Sequence, residues 1–337
     1  MGENPIQVAF HPIYMHPLPE GHRFPMAKYD LIPEQLKYEG TLTDANFFEP
    51  VLSPSIDQSI LKVHEPSYVQ RLKECSLDPK MVRKIGFPLS EALIQREWLI
   101  TQGTLDCCGY ALQHGISLNI AGGTHHAYAD RGEGFCLLND VAVAAAYVVE
   151  KGWAKKVLIV DLDVHQGNGT AVIFQSRSDI FTFSMHGKDN YPLHKEVSDW
   201  DIELPTGTPD EGYLPLLENA LHELKVRVKP DFLFYISGVD VLGTDKLGKL
   251  GLTLSGAYRR DEMVLDWAVA QGLPVVISVG GGYSPRLSDI VEAHCQTYRL
   301  AVDKVMWEYP ESTAFKNRRA LFQECENPLS EVMTKST

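Results

Sequence analysis

The sequence lacks the features that mark several broad classes of protein. No apolar run approaches the roughly 20 residues that a membrane-spanning helix needs. The first residues contain no basic segment followed by an apolar stretch, so no secretory signal peptide is visible. The six cysteines form no CxxC pair and are too few for a disulfide-rich secreted domain. We therefore expect a soluble, cytoplasmic protein with reduced thiols and no membrane partner.

Basic residues are also fewer than acidic residues. The chain of 337 residues has 31 Lys and Arg against 44 Asp and Glu, which gives a formal net charge of −13. Nucleic-acid binding depends on a basic surface that neutralises phosphates, so we expect no direct binding to DNA or RNA. Hydrophobic residues make up 44% and charged residues 22% of the chain, which is typical of a globular protein and excludes a disordered or fibrous one.

Short apolar runs rich in Val, Ile and Phe alternate with amphipathic segments. Such runs are typical of buried strands in a parallel sheet, and they cover residues 117–121, 156–160, 180–183, 231–236 and 274–279. Helices are predicted over 141–151, 211–228 and up to 271, with Asn139 and Ser255 as N-caps and Gly152 and Gly272 as stops. This alternation predicts a three-layer α/β/α fold around a mainly parallel sheet.

The two ends of the chain differ from its middle. Residues 11–56 are rich in Pro and His and have few periodic runs, which predicts loops laid over the core. Residues 309–337 are polar and weakly periodic, so we expect a peripheral helix or a frayed tail there. No repeat, linker or low-complexity tract divides the chain. Residues 1–337 are therefore interpreted as a single domain.

Polar residues cluster where four of the predicted strands end. Gly-Gly-Thr-His-His occupies 122–126, Asp-Leu-Asp-Val-His-Gln-Gly-Asn-Gly occupies 161–169, Ser-Gly-Val-Asp occupies 237–240 and Gly-Gly-Gly-Tyr occupies 280–283. In open α/β sheets, ligands bind beyond the carboxyl ends of the strands. The four motifs therefore predict one functional site at that edge of the sheet.

The second motif points to a metal ion. In an extended segment Asp161, Asp163 and His165 face the same side, and two carboxylates there repel unless they share a cation or a proton. Asp163 and His165, joined by Asp240 from a separate strand, make an Asp2His site with room for water. Zn²⁺ suits these ligands, and Fe²⁺ and Mn²⁺ suit them as well. A single Asp after a strand more often caps a loop, so the metal prediction depends on the whole cluster.

His125, His126 and Tyr283 complete the chemistry of a hydrolase. One imidazole beside a metal-activated water removes its proton, while the other orients it or carries charge. The Tyr283 hydroxyl donates a hydrogen bond to a carbonyl oxygen as negative charge develops. Each feature has a simpler alternative, because a His can hydrogen-bond within the core and a Gly-Gly-Gly-Tyr run can be a flexible turn.

Taken together, these motifs resemble the zinc-dependent histone deacetylase family, whose fold is arginase-like. The resemblance runs from about residue 8 to 305 and includes Gly-Phe-Cys-Leu-Leu-Asn-Asp at 134–140. It is closest to the class IV branch and its single-domain bacterial relatives, since Gln166 stands where most other classes have a second His and Gly-His-Arg-Phe-Pro-Met at 21–26 is similar to that branch. Lys-Asp-Asn-Tyr-Pro at 188–192 departs from the Phe-Phe-Pro-Gly of classes I and II.

The resemblance implies a role for each site residue. The implied zinc ligands are Asp163, His165 and Asp240. The implied catalytic residues are His126 as general base, His125 as its electrostatic or acid partner, Asp161 and Asn168 as the residues that hold the two imidazoles, and Tyr283. A structural potassium ion is implied at the side chains of Asp161 and Ser184, with backbone oxygens of Asp163, His165 and Met185. The implied substrate tunnel contains Gly134, Phe135, Tyr191 and Leu247, and Arg23 matches an arginine of an internal product channel.

The implied activity is removal of acetyl or longer acyl groups from acyl-lysine in proteins or peptides. An acetylpolyamine amidohydrolase is the main alternative, although Leu247 stands where polyamine-specific relatives place a Glu. A non-catalytic acyl-lysine-binding module is a remote alternative, because no ligand, His or Tyr is missing. A two-metal guanidino hydrolase needs more ligands than 161–168 offers. Cys136 is interpreted as a packing residue, because a water-based reaction needs no thiol nucleophile.

Overall fold

The computed structural model describes residues 4–324, and its core is one parallel sheet. The strands are β1 (Gln7–Ala9), β2 (Phe47–Phe48), β3 (Ile116–Asn119), β4 (Val157–Asp161), β5 (Ile180–Gly187), β6 (Trp200–Leu204), β7 (Phe232–Ile236) and β8 (Val275–Ser278). They lie in the order β2-β1-β3-β8-β7-β4-β5-β6, and every neighbouring pair is parallel. The predicted α/β fold with a mainly parallel sheet is confirmed.

Eleven α-helices accompany the sheet within the described range. They are α1 (Lys28–Tyr38), α2 (Ile56–Ile60), α3 (Pro66–Lys73), α4 (Pro79–Ile85), α5 (Glu91–His114), α6 (Asp140–Glu150), α7 (Asn168–Phe174), α8 (Asp210–Arg227), α9 (Leu254–Gln271), α10 (Leu287–Asp303) and α11 (Thr313–Glu324). The long helix α5 packs against β1, β3 and β8. No described helix combines the length and the apolar character that crossing a membrane requires.

All five predicted strands are present; β5 ends four residues later than predicted, and the other ends differ by at most two residues. They are the strands of the sheet whose side chains are most completely buried, and continuous burial explains their continuous apolar sequence. Three strands were not predicted: β1, β2 and β6. β1 and β2 have three and two residues, and β6 is a partly exposed edge strand with no apolar run.

The helix boundaries follow local capping chemistry. The Asn139 side chain accepts a hydrogen bond from the Ala142 amide and caps α6, as predicted. The cap of α9 is Thr253 and not the predicted Ser255, because the Thr253 side chain accepts from the Gly256 amide and the helix has begun by residue 255. Gly272 ends α9 in a left-handed conformation with φ of 62°.

The ends of the chain carry more regular structure than the sequence predicted. The segment 11–56, predicted as loops, contains α1, which continues through Pro33. Helix α11 lies within the segment 309–337, and residues 325–337 are outside the described range.

The strand order brings the four polar motifs together. β3, β8, β7 and β4 are consecutive neighbours in the centre of the sheet. Each of them is followed by one of the motifs at 122–126, 280–283, 237–240 and 161–169. Because the strands are parallel, all four carboxyl ends reach the same edge. The sheet therefore delivers the predicted site residues to one place.

Candidate active site

The three predicted metal ligands form a compact, buried group. Asp163 and His165 follow β4, and Asp240 follows β7. One ligand atom from each lies within 4.8 Å of the others, and the residues are 1%, 8% and 0% exposed. His165 Nδ1 lies 3.0 Å from Asp163 Oδ1 and 3.2 Å from Asp240 Oδ2. The arrangement converges on a point between two carboxylates and one imidazole.

This donor set fits a divalent cation. Asp240 Oδ2 is buried, and within the described residues it makes no hydrogen bond. Burial and the neighbouring charge of Asp163 raise the pKa of Asp240, because two buried carboxylates this close repel. A bound cation removes that repulsion, and Asp240 Oδ2 can coordinate it. Two oxygens and one nitrogen suit Zn²⁺ and Fe²⁺, so the donor set alone leaves the identity of the ion open.

Gly281 is needed because its backbone lies against the ligand carboxylates. Its amide donates a hydrogen bond to Asp163 Oδ2 at 2.8 Å. A Cβ at this position would lie 2.0 Å from Asp240 Oδ2 and 2.8 Å from Asp163 Oδ2. The close approach therefore requires glycine at this position in the motif 280–283.

The two predicted imidazoles are adjacent, and each is held by one polar side chain. His125 Nδ1 lies 2.6 Å from Asp161 Oδ2, and His126 Nδ1 lies 2.6 Å from Asn168 Oδ1. The Nε2 atoms of the two rings are 3.2 Å apart. If each Nδ1 carries a proton for its partner, each Nε2 faces the site. Their separation allows one proton to bridge the two nitrogens.

The surroundings give the two imidazoles different proton affinities. Burial by itself lowers the pKa of His125, but the Asp161 carboxylate outweighs burial and raises the pKa to about 8. Burial, together with the positive charge of the neighbouring His125, holds the pKa of His126 well below its usual range. At neutral pH the pair therefore consists of a cationic His125 and a neutral His126 whose Nε2 carries no proton of its own.

Tyr283 reaches the same site from β8. Its backbone amide donates to Asp245 Oδ2 at 2.6 Å, while Asp245 Oδ1 accepts from the amides of Leu247 and Gly248. Its hydroxyl has no hydrogen-bond partner within residues 4–324, and burial raises the pKa of this phenol well above its usual value. Asp245 thus joins the loop after Asp240 to the Tyr283 loop, and sequence reasoning did not assign it that role.

An outer cavity of about 330 Å³ opens next to these groups. Its lining includes His126, His165 and Tyr283, together with all four predicted tunnel residues, Gly134, Phe135, Tyr191 and Leu247. The ring of Tyr191 stands edge-on to His126 with centroids 4.9 Å apart, and its hydroxyl donates to Glu133 at 2.6 Å. A Cβ on Gly134 would lie 2.6 Å from the His126 ring, so this wall also needs glycine.

A second, smaller cavity of about 40 Å³, called the inner cavity, shares the lining residues His126, His165 and Tyr283 with the outer one. Arg96 of α5 lines it, and Arg96 is 3% exposed. The prediction that Arg23 lines an internal channel is wrong: Arg23 is exposed, lies ahead of α1 and lines the outer cavity. Arg96 was missed because it lies in a long helix without a motif. Its guanidinium is fixed by the Tyr14 carbonyl at 2.8 Å and by Glu97.

The residues implied for potassium are neighbours on the sheet. Asp161 and Ser184 are paired in register on β4 and β5, and both are buried. The Asp161 carboxylate accepts from the Asp163 amide at 3.1 Å, and Ser184 Oγ lies 2.9 Å from His186 Nδ1. The arrangement is compatible with the implied site, and the ion stays a proposal.

Two other residues of the motifs are not candidate metal ligands. The side chain of Gln166 bonds to the backbone of Glu196 and to Asp201 Oδ1 at 2.9 Å. Cys136 borders the inner cavity, where burial raises the pKa of its thiol well above the usual value. A thiol that stays protonated is a poor nucleophile, which agrees with the interpretation of Cys136 as a packing residue.

Arg260 connects the two loops that carry the candidate metal ligands. This residue of α9 is completely buried, and its guanidinium donates to the carbonyls of Leu162 at 3.2 Å and Gly238 at 2.6 Å. Leu162 immediately precedes Asp163, and Gly238 lies two residues before Asp240. The Asp261 carboxylate balances the charge of Arg260 at 2.8 Å.

Replacing Arg260 by Met is expected to destabilise the fold by about 3–5 kcal/mol, because Asp261 keeps a buried charge without its partner. The variant also loosens both ligand loops, so its affinity for Zn²⁺ falls. Urea unfolding and competition with a chromophoric chelator measure the two effects. Arg259→Met on the same helix is the matched control, since the Arg259 side chain is 57% exposed. Unchanged Zn²⁺ affinity in Arg260→Met would show that the carbonyl contacts do not position the ligands.

Comparison with known sequences identifies related proteins over most of the chain. The family described as "Histone deacetylase domain" matches residues 22–298. An uncharacterized protein from Picosynechococcus sp. is 45% identical over 297 residues, which are 88% of this chain and 98% of that protein. Histone deacetylase 2 of Arabidopsis thaliana is 29% identical over 272 residues, with coverage of 78% and 70%. The acetoin utilization protein AcuC of Staphylococcus xylosus is 26% identical over 287 residues, with coverage of 78% and 74%.

A solved structure has the same architecture. The crystal structure of an HDAC homolog from Aquifex aeolicus superimposes with a TM-score of 0.74 and covers 89% of this chain and 83% of that one. The two sequences are 23% identical, so the likeness concerns the fold. The fold is the arginase-like α/β arrangement that the motifs implied.

Proposed function

Because the chain belongs to the histone deacetylase family, we propose that it is a metal-dependent amidohydrolase that removes acetyl or longer acyl groups from lysine side chains of proteins or peptides. The observation that supports this most strongly is the position of His126, His165 and Tyr283, which line both the outer and the inner cavity. A linear acyl-lysine side chain entering the outer cavity brings its amide to these three residues.

In the proposed site, Asp163, His165 and Asp240 hold the divalent ion, which we take to be Zn²⁺ or Fe²⁺. When bound, the ion supplies Lewis acidity to the amide carbonyl and to a water molecule. We also propose a structural potassium ion at Asp161 and Ser184. Ser184 is the strand neighbour of Asp161, and Asp161 contacts His125 Nδ1. This ion would therefore stabilise the carboxylate that orients His125.

His126 is the proposed general base. Asn168 accepts the Nδ1–H of His126, which makes the unprotonated Nε2 the atom that removes a proton from the attacking water. Cationic His125, 3.2 Å away, stabilises the negative charge that develops. The amide C–N bond then breaks as the protonated His126 gives its proton to the leaving nitrogen. The products are a free lysine amine and a carboxylate.

Tyr283 is the proposed oxyanion donor. A phenol with a raised pKa stays protonated, and its hydroxyl is not engaged by any described residue. It is therefore free to donate a hydrogen bond to the carbonyl oxygen as that oxygen gains charge. The Asp245 contact to its backbone amide fixes the loop that carries it.

Acyl-lysine is favoured over acetylpolyamines as the substrate. Leu247 lines the outer cavity, and an apolar side chain there offers nothing to the secondary amines of a polyamine. Gln166 and the segment 21–26 support a relationship to the class IV branch. Tyr191 forms one wall of the tunnel where classes I and II have a Phe. Because this residue affects the width of the tunnel, the preferred acyl length is to be measured.

The test is a panel of kcat/KM values. It compares peptides that contain acetyl-, butyryl- and long-chain-acyl-lysine with N-acetylputrescine and N-acetylspermidine, with and without a chelator. We expect peptide turnover that the chelator abolishes and that Zn²⁺ restores. Turnover of the polyamines alone would replace the proposal by its main alternative. Zinc binding without turnover of any compound would support a non-catalytic module.

A further inference from the structure

The charged residues that line the outer cavity are predominantly basic. They are Arg23, Lys84 and Lys249 against Asp189, which gives a local charge of +2 from three cations and one anion. The whole chain has a net charge of −13. All four residues are exposed at the opening. The overall composition of the chain therefore does not account for the positive charge at the opening.

Arg23 is the cation at the opening whose charged group makes neither a hydrogen bond nor an ion pair within residues 4–324. Its guanidinium lies 5.2 Å from the centroid of the Phe135 ring, a contact that holds it against one wall of the cavity. No carboxylate within residues 4–324 forms an ion pair with it. An arginine presents five N–H donors in a planar fork that matches a carboxylate. Arg23 therefore offers an unused carboxylate-binding group at the opening.

The other charges at the opening are partly satisfied within the protein. Lys84 Nζ lies 3.0 Å from Glu133, which also contacts Arg131 at 3.1 Å. Lys249 Nζ donates to the backbone carbonyl of Asp189 at 2.9 Å, and the Asp189 carboxylate accepts from a threonine hydroxyl. The Lys84–Glu133 ion pair offsets one positive charge, and the excess that remains comes from Arg23 and Lys249 against Asp189. Lys249 adds to the field that Arg23 presents.

We propose that Arg23 selects acyl-lysine substrates that carry a carboxylate next to the acylated residue, as an Asp or Glu neighbour in the peptide. This inference rests on the proposed function and names the substrate class of the same site. The peptide backbone on either side of the lysine must pass the rim of the cavity. Arg23 lies at this rim, against the ring of Phe135. The same charge disfavours polyamines, whose remaining amines are cationic.

The expected effect is moderate, because Arg23 is exposed to solvent. An exposed, well-oriented ion pair changes affinity by up to about fivefold, and the change decreases in high salt. A cationic neighbour in the substrate should be disfavoured by a similar factor. The predicted order of affinity is therefore an acidic neighbour first, a neutral neighbour second and a basic neighbour last.

The experiment uses three fluorescein-labelled acetyl-lysine peptides that differ only in the residue after the acyl-lysine: Asp, Asn or Lys. Fluorescence anisotropy gives Kd in a Tyr283→Phe background, in which turnover is slow, and a discontinuous assay gives kcat/KM without that substitution; both use the full chain loaded with Zn²⁺. The variants are Arg23→Gln and Arg23→Glu. Arg83→Gln is the charge-matched control, because Arg83 is exposed beside Lys84 and does not line the cavity.

We expect the unaltered protein and Arg83→Gln to bind the Asp peptide about fivefold more tightly than the Asn peptide, with a smaller ratio at 0.5 M salt than at low salt, as expected for about one exposed ion pair. Arg23→Gln should abolish the ratio and Arg23→Glu should reverse it toward the Lys peptide. Equal Kd values for the three peptides, or a ratio that survives in Arg23→Gln, would overturn the inference. Because Kd is measured without turnover, absence of hydrolysis would count against the proposed function alone.

Discussion

Tyr283→Phe is expected to lower kcat/KM for an acyl-lysine peptide by about 10²–10³-fold, the loss typical of removing one oxyanion donor. The phenol lines both cavities at the point where the imidazoles meet the candidate ligands, and no described residue occupies its hydroxyl. Removing one oxygen atom leaves the ring contacts with Phe24 and Phe135 in place. The loss should therefore appear mainly in kcat.

Two further measurements make the Tyr283 result specific. The Zn²⁺ content of Tyr283→Phe should equal that of the unaltered protein, because Tyr283 is not among the candidate ligands. Tyr258→Phe is the matched control, since Tyr258 lies exposed on α9, 37% accessible and away from both cavities. A loss of less than about tenfold in Tyr283→Phe would remove the phenol from the oxyanion role, since a single donor is worth more than that.

Asp240→Asn is expected to abolish activity and to remove the stabilisation of the fold by Zn²⁺. An ion present at 1,000 times its Kd stabilises a folded protein by about 4 kcal/mol, and loss of one of two anionic ligands removes most of that. The metal-free variant should be no less stable than the metal-free parent, because Asp240 and Asp163 repel when both are charged. The variant thus shows whether Asp240 acts as a metal ligand or as a structural carboxylate.

Chemical unfolding with and without Zn²⁺ measures both effects of Asp240→Asn. Asp44→Asn is the charge-matched control, since the Asp44 side chain is 91% exposed and a surface pair contributes little. The control should keep the full response to Zn²⁺. If Asp240→Asn also kept it, the ion would bind elsewhere and Asp240 would hold the loop in place only.

The central part of the fold was predictable because burial leaves a simple sequence pattern. β4, β7, β3 and β8 are buried along their whole length, and each appears in the sequence as a run of apolar residues that ends in a polar motif. The order of these strands across the sheet was not predicted. The motifs suggested that they were neighbours, and the neighbourhood of β3, β8, β7 and β4 explains why four separate motifs form one site.

The peripheral elements were missed because their sequences carry weak or misleading signals. α1 contains Pro33, and a proline argues against a helix interior unless it lies near the start. β6 has partly exposed residues along most of its length and so shows no apolar run. The N-cap of α9 was placed two residues late because Thr253 and Ser255 are both good caps.

Sequence motifs located the residues at the centre of the site and missed those that support them. Arg260, Arg96 and Asp245 act through backbone carbonyls, a cavity wall and backbone amides, and none of these contacts follows from local spacing. The resemblance implied that Arg23 lines an internal channel, whereas in the structure Arg23 lines the outer cavity. Long-range packing decides such positions, and a single sequence does not encode it in a readable pattern.

The most direct test of the account is a metal titration of amide hydrolysis. The purified protein is stripped with a chelator, returned to increasing Zn²⁺, and assayed by mass spectrometry for loss of the acetyl group from an acetyl-lysine peptide. We expect no deacetylation by the stripped protein and activity that rises to a plateau at one Zn²⁺ per chain. Deacetylation that is independent of added metal would contradict it, as would metal binding at the Asp163, His165 and Asp240 group without any hydrolysis.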